Sequence, residues 1–518
     1  MKKIIINLLV LLPGSIFSCW AQENKIQIQI QDQYRPSYHF TPAAHWMNDP
    51  NGLVYYDGEY HLFYQYYPDA TVWGPMHWGH AVSKDLLHWE HLPIALYPDS
   101  LGFIFSGSAV IDKDNTSGLG TKKNPAMVAI FAYDNPLLEK SGSNKFQYQG
   151  MAYSLDKGRT WTKYAKNPVV PNPGIRDFRD PKVIWDAQIN KWILTLAAGD
   201  QTQFYSSSNL INWKLESSFG KSIGAHGGVW ECPDLFPMKV KGSNEKKWVL
   251  LVSINPGGPN GGSATQYFVG NFDGHQFKPD DTQTRWIDYG KDNYAGVTWS
   301  DIPSTDGRRI FLGWMSNWQY ATIVPTVKWR SAMAIPRELS LIKENNTYTL
   351  TSNPVREIAK IRAHSVQIPV KQINTITDIT KFVPFKLNKI ELVLLCKAGK
   401  SAENKFGFKL GNDVNEELVA GYDQNKKQLF VDRTKSGKTD FSKDFPAIIK
   451  APCELYNQTL ELHILIDEAS IEIFAQQGKT VMTNIFFPTK PYNKISLFSE
   501  NGTIEIPNLK IWQLNKSM

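Results

Sequence analysis

The sequence predicts an all-β chain, a five-bladed β-propeller followed by a C-terminal β-sandwich. Three observations lead there. A short apolar strand returns at roughly sixty-residue intervals through the first two thirds of the chain. A turn-rich segment closed by an aromatic follows four of its five copies, and the pattern changes after about residue 340.

The recurring strand reads HLFYQYY from His61, VAIFAYD from Val128, WILTLAAG from Trp192, WVLLVSI from Trp248 and IFLGWMS from Ile310. The aromatic-closed segments are SKDLLHW ending at Trp89, SLDKGRTW at Trp161, SSNLINW at Trp213 and NFDGHQF at Phe277. A strand pair, a Ser/Asp/Gly turn and an aromatic-anchored outer strand form a unit that cannot cover both of its faces alone. Five such units pack radially around an axial funnel, where a site is expected. This reading assigns the propeller to 34–340. The polar stretch LIKENNTYTLTSNPVREI then reads as a linker over 341–360. Beyond it, the shorter alternating strands IELVLLCKA, FGFKLG, QLFVDR, LELHILID, SIEIFA and KISLFSE read as a sandwich over 361–516. SIEIFA and QQGKTVMTNIFF form a hairpin around a Gly-containing loop.

Composition agrees. The 518 residues are 42% hydrophobic and 20% charged, which excludes disorder as the main theme. Length alone allows about three domains, and the repeat reduces the count to two. Aromatics make up 13% of the chain, and with only 4 Cys a disulfide framework is not expected. The formal charge of +7 falls to +5 once Lys2 and Lys3 are removed with the leader. The basic residues are scattered, so nucleic acid is not an expected partner.

The chain opens on MKK, an apolar run and small residues before SCWAQE, the layout of a secretory signal spanning 1–21 with cleavage after Ala21. Export to the periplasm or the outside follows. Lipidation at Cys19 is the alternative, disfavoured by Phe17, and no later stretch is apolar for long enough to span a bilayer. Cys232, Cys396 and Cys453 then remain, allow at most one bridge, and read as buried thiols. His77 and His80, like His88 and His91, sit three apart on predicted strands and so face opposite ways; no metal or cofactor is expected.

Three acids stand apart from solvated turns: Asp49 in HWMNDPNG, Asp180 in FRDPKV and Glu231 in GGVWECPDLF. Asp49 and Asp180 precede prolines, which favours extended backbone and a defined side-chain direction. Taken singly, WMNDPNG also suits a tight Asx turn. Three such segments in one repeat domain point instead to a convergent acidic site, and carboxylates in an aromatic funnel suit glycosidic bond hydrolysis. Asn48, Asn51 and turn amides would hold the Asp49 pKa low, while the drier setting of Glu231 beside Trp230 and Pro233 would raise its own.

WMNDPNG, FRDP and ECPDL, in that order over a propeller and a sandwich, resemble the signature motifs of glycoside hydrolase family 32. FYQYYP, WGPMHWGHA, FSGSA, GWMSNWQY and IEIFAQQGKTVMTNIFFP extend the resemblance over essentially the whole mature chain. It implies a retaining β-fructofuranosidase with Asp49 as nucleophile, Glu231 as general acid and base, and Asp180 as transition-state stabiliser. Asn48, Gln65, Trp73, Phe105, Ser106 and Arg179 match positions around the terminal fructose, and Trp314 is expected as an aromatic wall. In a retaining enzyme the Asp49 and Glu231 carboxyl groups stand about 5–5.5 Å apart.

The expectation is thus an exported enzyme acting on inulin and/or levan, with sucrose as a further candidate substrate, and with exo action preferred because SINPGGPNGGSATQYFVGNFDG resembles the corresponding loop of exo-acting members. Endo action, an arabinan or xylan hydrolase on the same architecture, fructosyl transfer, and a non-catalytic carbohydrate-binding propeller are the alternatives. Intact acidic motifs speak against the last. For the sandwich a structural role is preferred over polysaccharide binding. Linkage preference and oligomeric state stay open.

Overall fold

The computed structural model describes residues 32–399 and 401–518; the expected signal segment and Cys19 lie outside them. Five sheets, each built on four antiparallel strands, form a ring. Blade 1 runs through His45–Tyr56, Glu59–Tyr67, His77–Ser83 and Trp89–Leu96; blade 2 through Phe103–Ile111, Met127–Asp134, Gln147–Ser154 and Thr162–Lys163. Blade 3 comprises Phe178–Asp186, Lys191–Ala198, Thr202–Ser207 and Lys214–Phe219. Blade 4 comprises Val229–Lys239, Lys246–Asn255, Ala264–Phe272 and Phe277–Pro279, and blade 5 comprises Tyr294–Thr298, Arg309–Met315, Arg337–Glu344 and Thr347–Pro354. The first strand of each blade is innermost and lies beside its counterparts around the axis.

Each recurring apolar run is the second strand of a blade, covered by neighbours on both faces, which is why it reads as continuously apolar. The aromatic-closed segments also have a common geometry. The side chains of Asp85, Asp156, Asn209 and Asp273 each accept backbone N–H groups of the turn that follows. Trp89, Trp161 and Trp213 then donate their indole N–H to the carbonyl three residues back, at 3.0, 3.0 and 2.9 Å. One polar and one aromatic residue thereby start every outer strand of blades 1 to 4.

The linker expected over 341–360 is not a linker. Arg337–Glu344 and Thr347–Pro354 are the two outer strands of blade 5, paired from Arg337 with Pro354 to Glu344 with Thr347. Outer strands expose more polar surface, so this hairpin lacks the aromatic density of the inner repeats and resembles connecting chain. The ring closes earlier in sequence: Trp329–Arg330 runs parallel to His45–Trp46 of blade 1, and Ala332–Met333 pairs with blade 5.

A short 3-10 helix, Arg356–Ile361, leads into the sandwich. One of its sheets is built on Arg362–Gln367, Ile504–Leu514, Ile390–Ala398, Thr459–Asp467, Ser470–Ala475 and Thr480–Ile485. The other is built on Thr377–Asp378, Lys494–Ser499, Lys405–Gly411, Glu417–Asp423, Gln428–Lys435 and Ile448–Pro452. Phe406, Phe408, Ile464, Ile473 and Leu509 meet in the core between them. The expected hairpin is Ser470–Ala475 with Thr480–Ile485. Among the described residues the only α-helix is Pro136–Lys140, and no helix is long and apolar enough to cross a membrane. Cys232, Cys396 and Cys453 are buried free thiols.

The sandwich meets the propeller through buried charges. Arg337 donates to Asp288 (2.8 Å) and Glu472 (2.7 Å), and Arg433 to Asp292 (2.7 Å). His39 bridges Asp467 (2.8 Å) and Glu472 (2.9 Å); burial opposes its charge, yet the two carboxylates prevail and raise its pKa to about 9. Asp288 and Asp292 precede Tyr294, the first residue of the innermost strand of blade 5, so the interface holds a segment that leads directly to the axis.

Candidate active site

All five innermost strands slip register against their neighbours at one level near their starts. The irregularity falls at Asn48 and Asp49 in blade 1, Phe105 and Ser106 in blade 2, Asp180 and Pro181 in blade 3, Cys232 and Pro233 in blade 4, and Ala295 and Gly296 in blade 5. A bulge re-aims side chains that regular alternation would send to opposite faces. Asp180, Cys232 and Ala295 adopt left-handed φ values of 65°, 45° and 52°. For Asp180 this replaces the extended backbone expected before proline. It also places Arg179 and Asp180 side by side, with Nε 3.9 Å from Oδ2, where a regular strand would separate them. The prolines fit because a bulge leaves an N–H without a ladder partner.

Three carboxylates thereby converge. Asp49 Oδ2 accepts from Ser106 Oγ (2.7 Å) and from the Cys232 thiol (3.5 Å), while Oδ1 accepts from Asn48 Nδ2 (3.0 Å). Asn48 is itself held by the Trp46 indole N–H at 2.8 Å. Asp180 Oδ2 accepts from the Cys232 backbone N–H at 3.1 Å. Glu231 Oε1 takes Nη2 (2.8 Å) and Nε (3.2 Å) of Arg179, and its Oε2 accepts from the Tyr294 hydroxyl.

Burial pushes the Asp49 pKa up, the Glu231 charge adds to this, and the bonds from Ser106, Asn48 and Cys232 work against it. The net direction is upward, opposite to the expectation from local sequence, because desolvation and a second carboxylate come from the fold. Burial also raises Asp180; Arg179 opposes, and Glu231 and Asp49 reinforce the rise. Nor is Glu231 in the dry setting its neighbours suggested, since a guanidinium and a phenol occupy its oxygens. Burial beside these acids keeps the Tyr294 phenol and the Cys232 thiol protonated, as donors.

Of the other expected residues, Asn48, Ser106, Arg179 and Phe105 stand in this cluster or on its strands, and Trp73 joins Phe105 edge-on at 6.1 Å with 42% of its surface exposed. Trp314 does not form a wall. It is wholly covered, packed among Trp46, Trp318 and Tyr294, because it lies on the second strand of blade 5, a layer behind the axis. Gln65, on the second strand of blade 1, is also covered. It donates to the Ile104 carbonyl at 3.0 Å and, with the Asn51 amide turned to the orientation that satisfies its neighbours, to Asn51 Oδ1 at 3.0 Å, which leaves Asn51 Nδ2 3.3 Å from Ser106 Oγ.

Sequence reasoning missed Tyr294, Cys232, Asp177 and Gln147. Asp177 accepts from Arg179 Nη1 at 2.7 Å; Gln147 accepts from the same nitrogen at 3.2 Å and donates to Asp134 at 3.1 Å. Only Cys232, inside ECPDL, lay in a conspicuous motif.

Losing the Ser106 bond removes an interaction that favours ionised Asp49, so its pKa must rise further. In Ser106→Ala the acid limb of kcat/KM is expected to move to higher pH, with kcat down about 10- to 100-fold. A pH–rate profile with an unmoved limb would contradict this role for the hydroxyl.

Comparison with known proteins agrees with this architecture. The family model for the glycosyl hydrolases family 32 N-terminal domain matches residues 39–354, and that for the family 32 C-terminal domain matches 357–513. A levanase of Bacillus subtilis is 48% identical over 521 residues, covering 100% of this chain and 76% of that protein. An extracellular exo-inulinase of Aspergillus niger is 39% identical over 507 residues, covering 91% and 93%. The crystal structure of an exo-inulinase from Aspergillus awamori superposes with a TM-score of 0.85 at 37% identity, covering 94% of this chain and 99% of that one. A five-bladed ring carrying three carboxylates, followed by a sandwich and matched over both parts, places the chain in glycosyl hydrolase family 32.

Proposed function

We propose that the protein is an exported, retaining β-fructofuranosidase that releases fructose from the ends of fructans, levan or inulin, and also accepts sucrose. The convergence of Asp49, Asp180 and Glu231 beside Arg179 carries this reading, and the levanase and exo-inulinase relatives support the substrate class and the exo action.

Asp49 is the nucleophile. Its Oδ1 has one hydrogen bond against two on Oδ2, so Oδ1 is freer to attack the anomeric carbon. Glu231 protonates the departing glycosidic oxygen. With Oε1 engaged by Arg179, the proton belongs on Oε2, the oxygen shared with the Tyr294 hydroxyl. Once ionised, Glu231 takes a proton from water, which attacks the fructosyl-enzyme and frees Asp49. Asp180 accepts from sugar hydroxyls as positive charge builds on the ring, and its orientation is set by the Cys232 N–H. Asn48, Phe105, Ser106, Arg179 and Trp73 contact the terminal fructosyl unit, while Gln65 and Trp314 act from behind them as positioning residues.

Following products from sucrose, inulin and levan over time tests the reading. Free fructose is expected first from all three. Early oligosaccharides without fructose would overturn the exo assignment, and cleavage of arabinan with none of fructan would overturn the substrate class.

A further inference from the structure

The innermost strands start at the carboxylates and run away from them, so their far ends surround a second opening on the axis. There Ile111, Ile184, Trp185, Pro237, Asp301 and Arg309 help line a cavity of about 370 Å³, within the usual size range of small-ligand sites. It is separate from the acidic cluster: buried Lys182 and Asp234, 3.6 Å apart, close the axis between the two together with Thr298, whose N–H and hydroxyl donate to Asp234 at 2.6 and 2.8 Å.

Two features mark this cavity. Trp185 is 38% exposed, and among the described residues only Trp73, at the carboxylate end, is another tryptophan so open to solvent. The Trp185 ring is steadied edge-on by Trp192 at 5.1 Å, and Trp192 is anchored by its indole bond to Thr116 Oγ1 at 2.8 Å. A rigid aromatic plane facing a cavity is a binding surface that needs little ordering. The second feature is Arg309. It stacks on Phe236 at 4.8 Å, but its polar contacts are only two long ones from Nη1, to Thr298 Oγ1 (3.5 Å) and the Trp299 carbonyl (3.4 Å), and it forms no ion pair among the described residues. Its remaining N–H groups are therefore free to donate.

The nearby acids are already engaged. Asp301 pairs with Lys113 at 2.8 Å and accepts from the Ile111 N–H at 2.9 Å, and Asp112 is saturated by Thr116 and Ser117. Asp112, Asp114 and Asp301 on the rim oppose an anionic ligand. An aromatic plane beside unpaired donors suits a neutral polyhydroxylated ring, with its C–H face on the indole and its hydroxyls accepting from the Arg309 guanidinium.

We propose that this cavity is a second saccharide-binding site that holds fructosyl units of the polymer away from the point of cleavage, an assignment that rests on the fructan reading above. A polymer tethered there raises the local concentration of chain ends at the carboxylates.

Trp185→Ala tests it. In native gels containing levan or inulin, with turnover silenced by Asp49→Ala, the added Trp185→Ala change is expected to weaken retardation about fivefold or more, and Trp185→Phe to restore most of it. In the active enzyme, Trp185→Ala is expected to raise KM for the polymer while leaving kcat/KM for sucrose within about twofold. Unchanged retardation together with unchanged polymer KM would overturn the second site while leaving the catalytic reading intact. A parent enzyme that cleaves no fructan would instead sink the fructan reading and the ligand named here with it.

Discussion

Asp49→Ala is expected to lower kcat on sucrose and fructan by at least about 10⁴-fold, roughly 5.5 kcal/mol of barrier, while fructan binding persists. The asymmetry follows from what Asp49 touches. Its oxygens are engaged by Ser106, Asn48 and Cys232, none of which depends on Asp49 for its place in the backbone of its bulge. Arg179 is fixed independently by Asp177, Gln147 and Glu231, and Trp73 by Phe105. The variant therefore keeps the groups assigned to sugar contact and loses the atom that forms the covalent bond. Fructose release measures the first effect and retardation in fructan gels the second. Activity near that of the parent would remove Asp49 from the nucleophile role. Loss of binding in step with loss of turnover would mean that the carboxylate mainly grips the ground state.

The blades were legible because each buries its second strand on both faces, leaving an apolar run that no outer strand matches; HLFYQYY and VAIFAYD show it most plainly. The same logic hid the end of the ring. Arg337–Glu344 alternates buried and half-exposed residues and carries no aromatic, so it resembles connecting chain. Asp49, Asp180 and Glu231 stood out because bulged strands need proline and small residues beside the functional group, an imprint that stays local in sequence. Their electrostatics left none. The Arg179 guanidinium on Glu231 spans blades 3 and 4, and the Tyr294 phenol comes from blade 5, with nothing around KDNYAGV to signal an acid partner. Trp314 shows the limit from the other side: motif position suggested a wall, whereas strand position within the blade decides whether a ring reaches the axis.

Arg433 ties the sandwich to the segment that leads into the site, and Arg433→Met is expected to cost about 3–5 kcal/mol of stability, as for other buried ion pairs that lose one partner. Arg433 lies on the sandwich strand Gln428–Lys435 and is fully buried. It donates to Asp292 (2.7 Å), the Tyr320 hydroxyl (2.8 Å), and the carbonyls of Phe445 (2.8 Å) and Ile485 (3.1 Å), with its plane 4.0 Å over the Phe445 ring. Methionine fills much of the volume but leaves the Asp292 carboxylate without its cation. Asp292 also takes the Ile485 N–H at 2.9 Å and the Tyr320 hydroxyl at 2.6 Å, so all three ties of this segment loosen together. Two residues on stands Tyr294, the donor to Glu231 Oε2. A lower urea midpoint is therefore expected together with reduced kcat under folding conditions, and Tyr294→Phe should reproduce the kcat loss without the stability loss. If Arg433→Met unfolds more easily yet turns over like the parent when folded, the sandwich supports the ring without helping to position the acid.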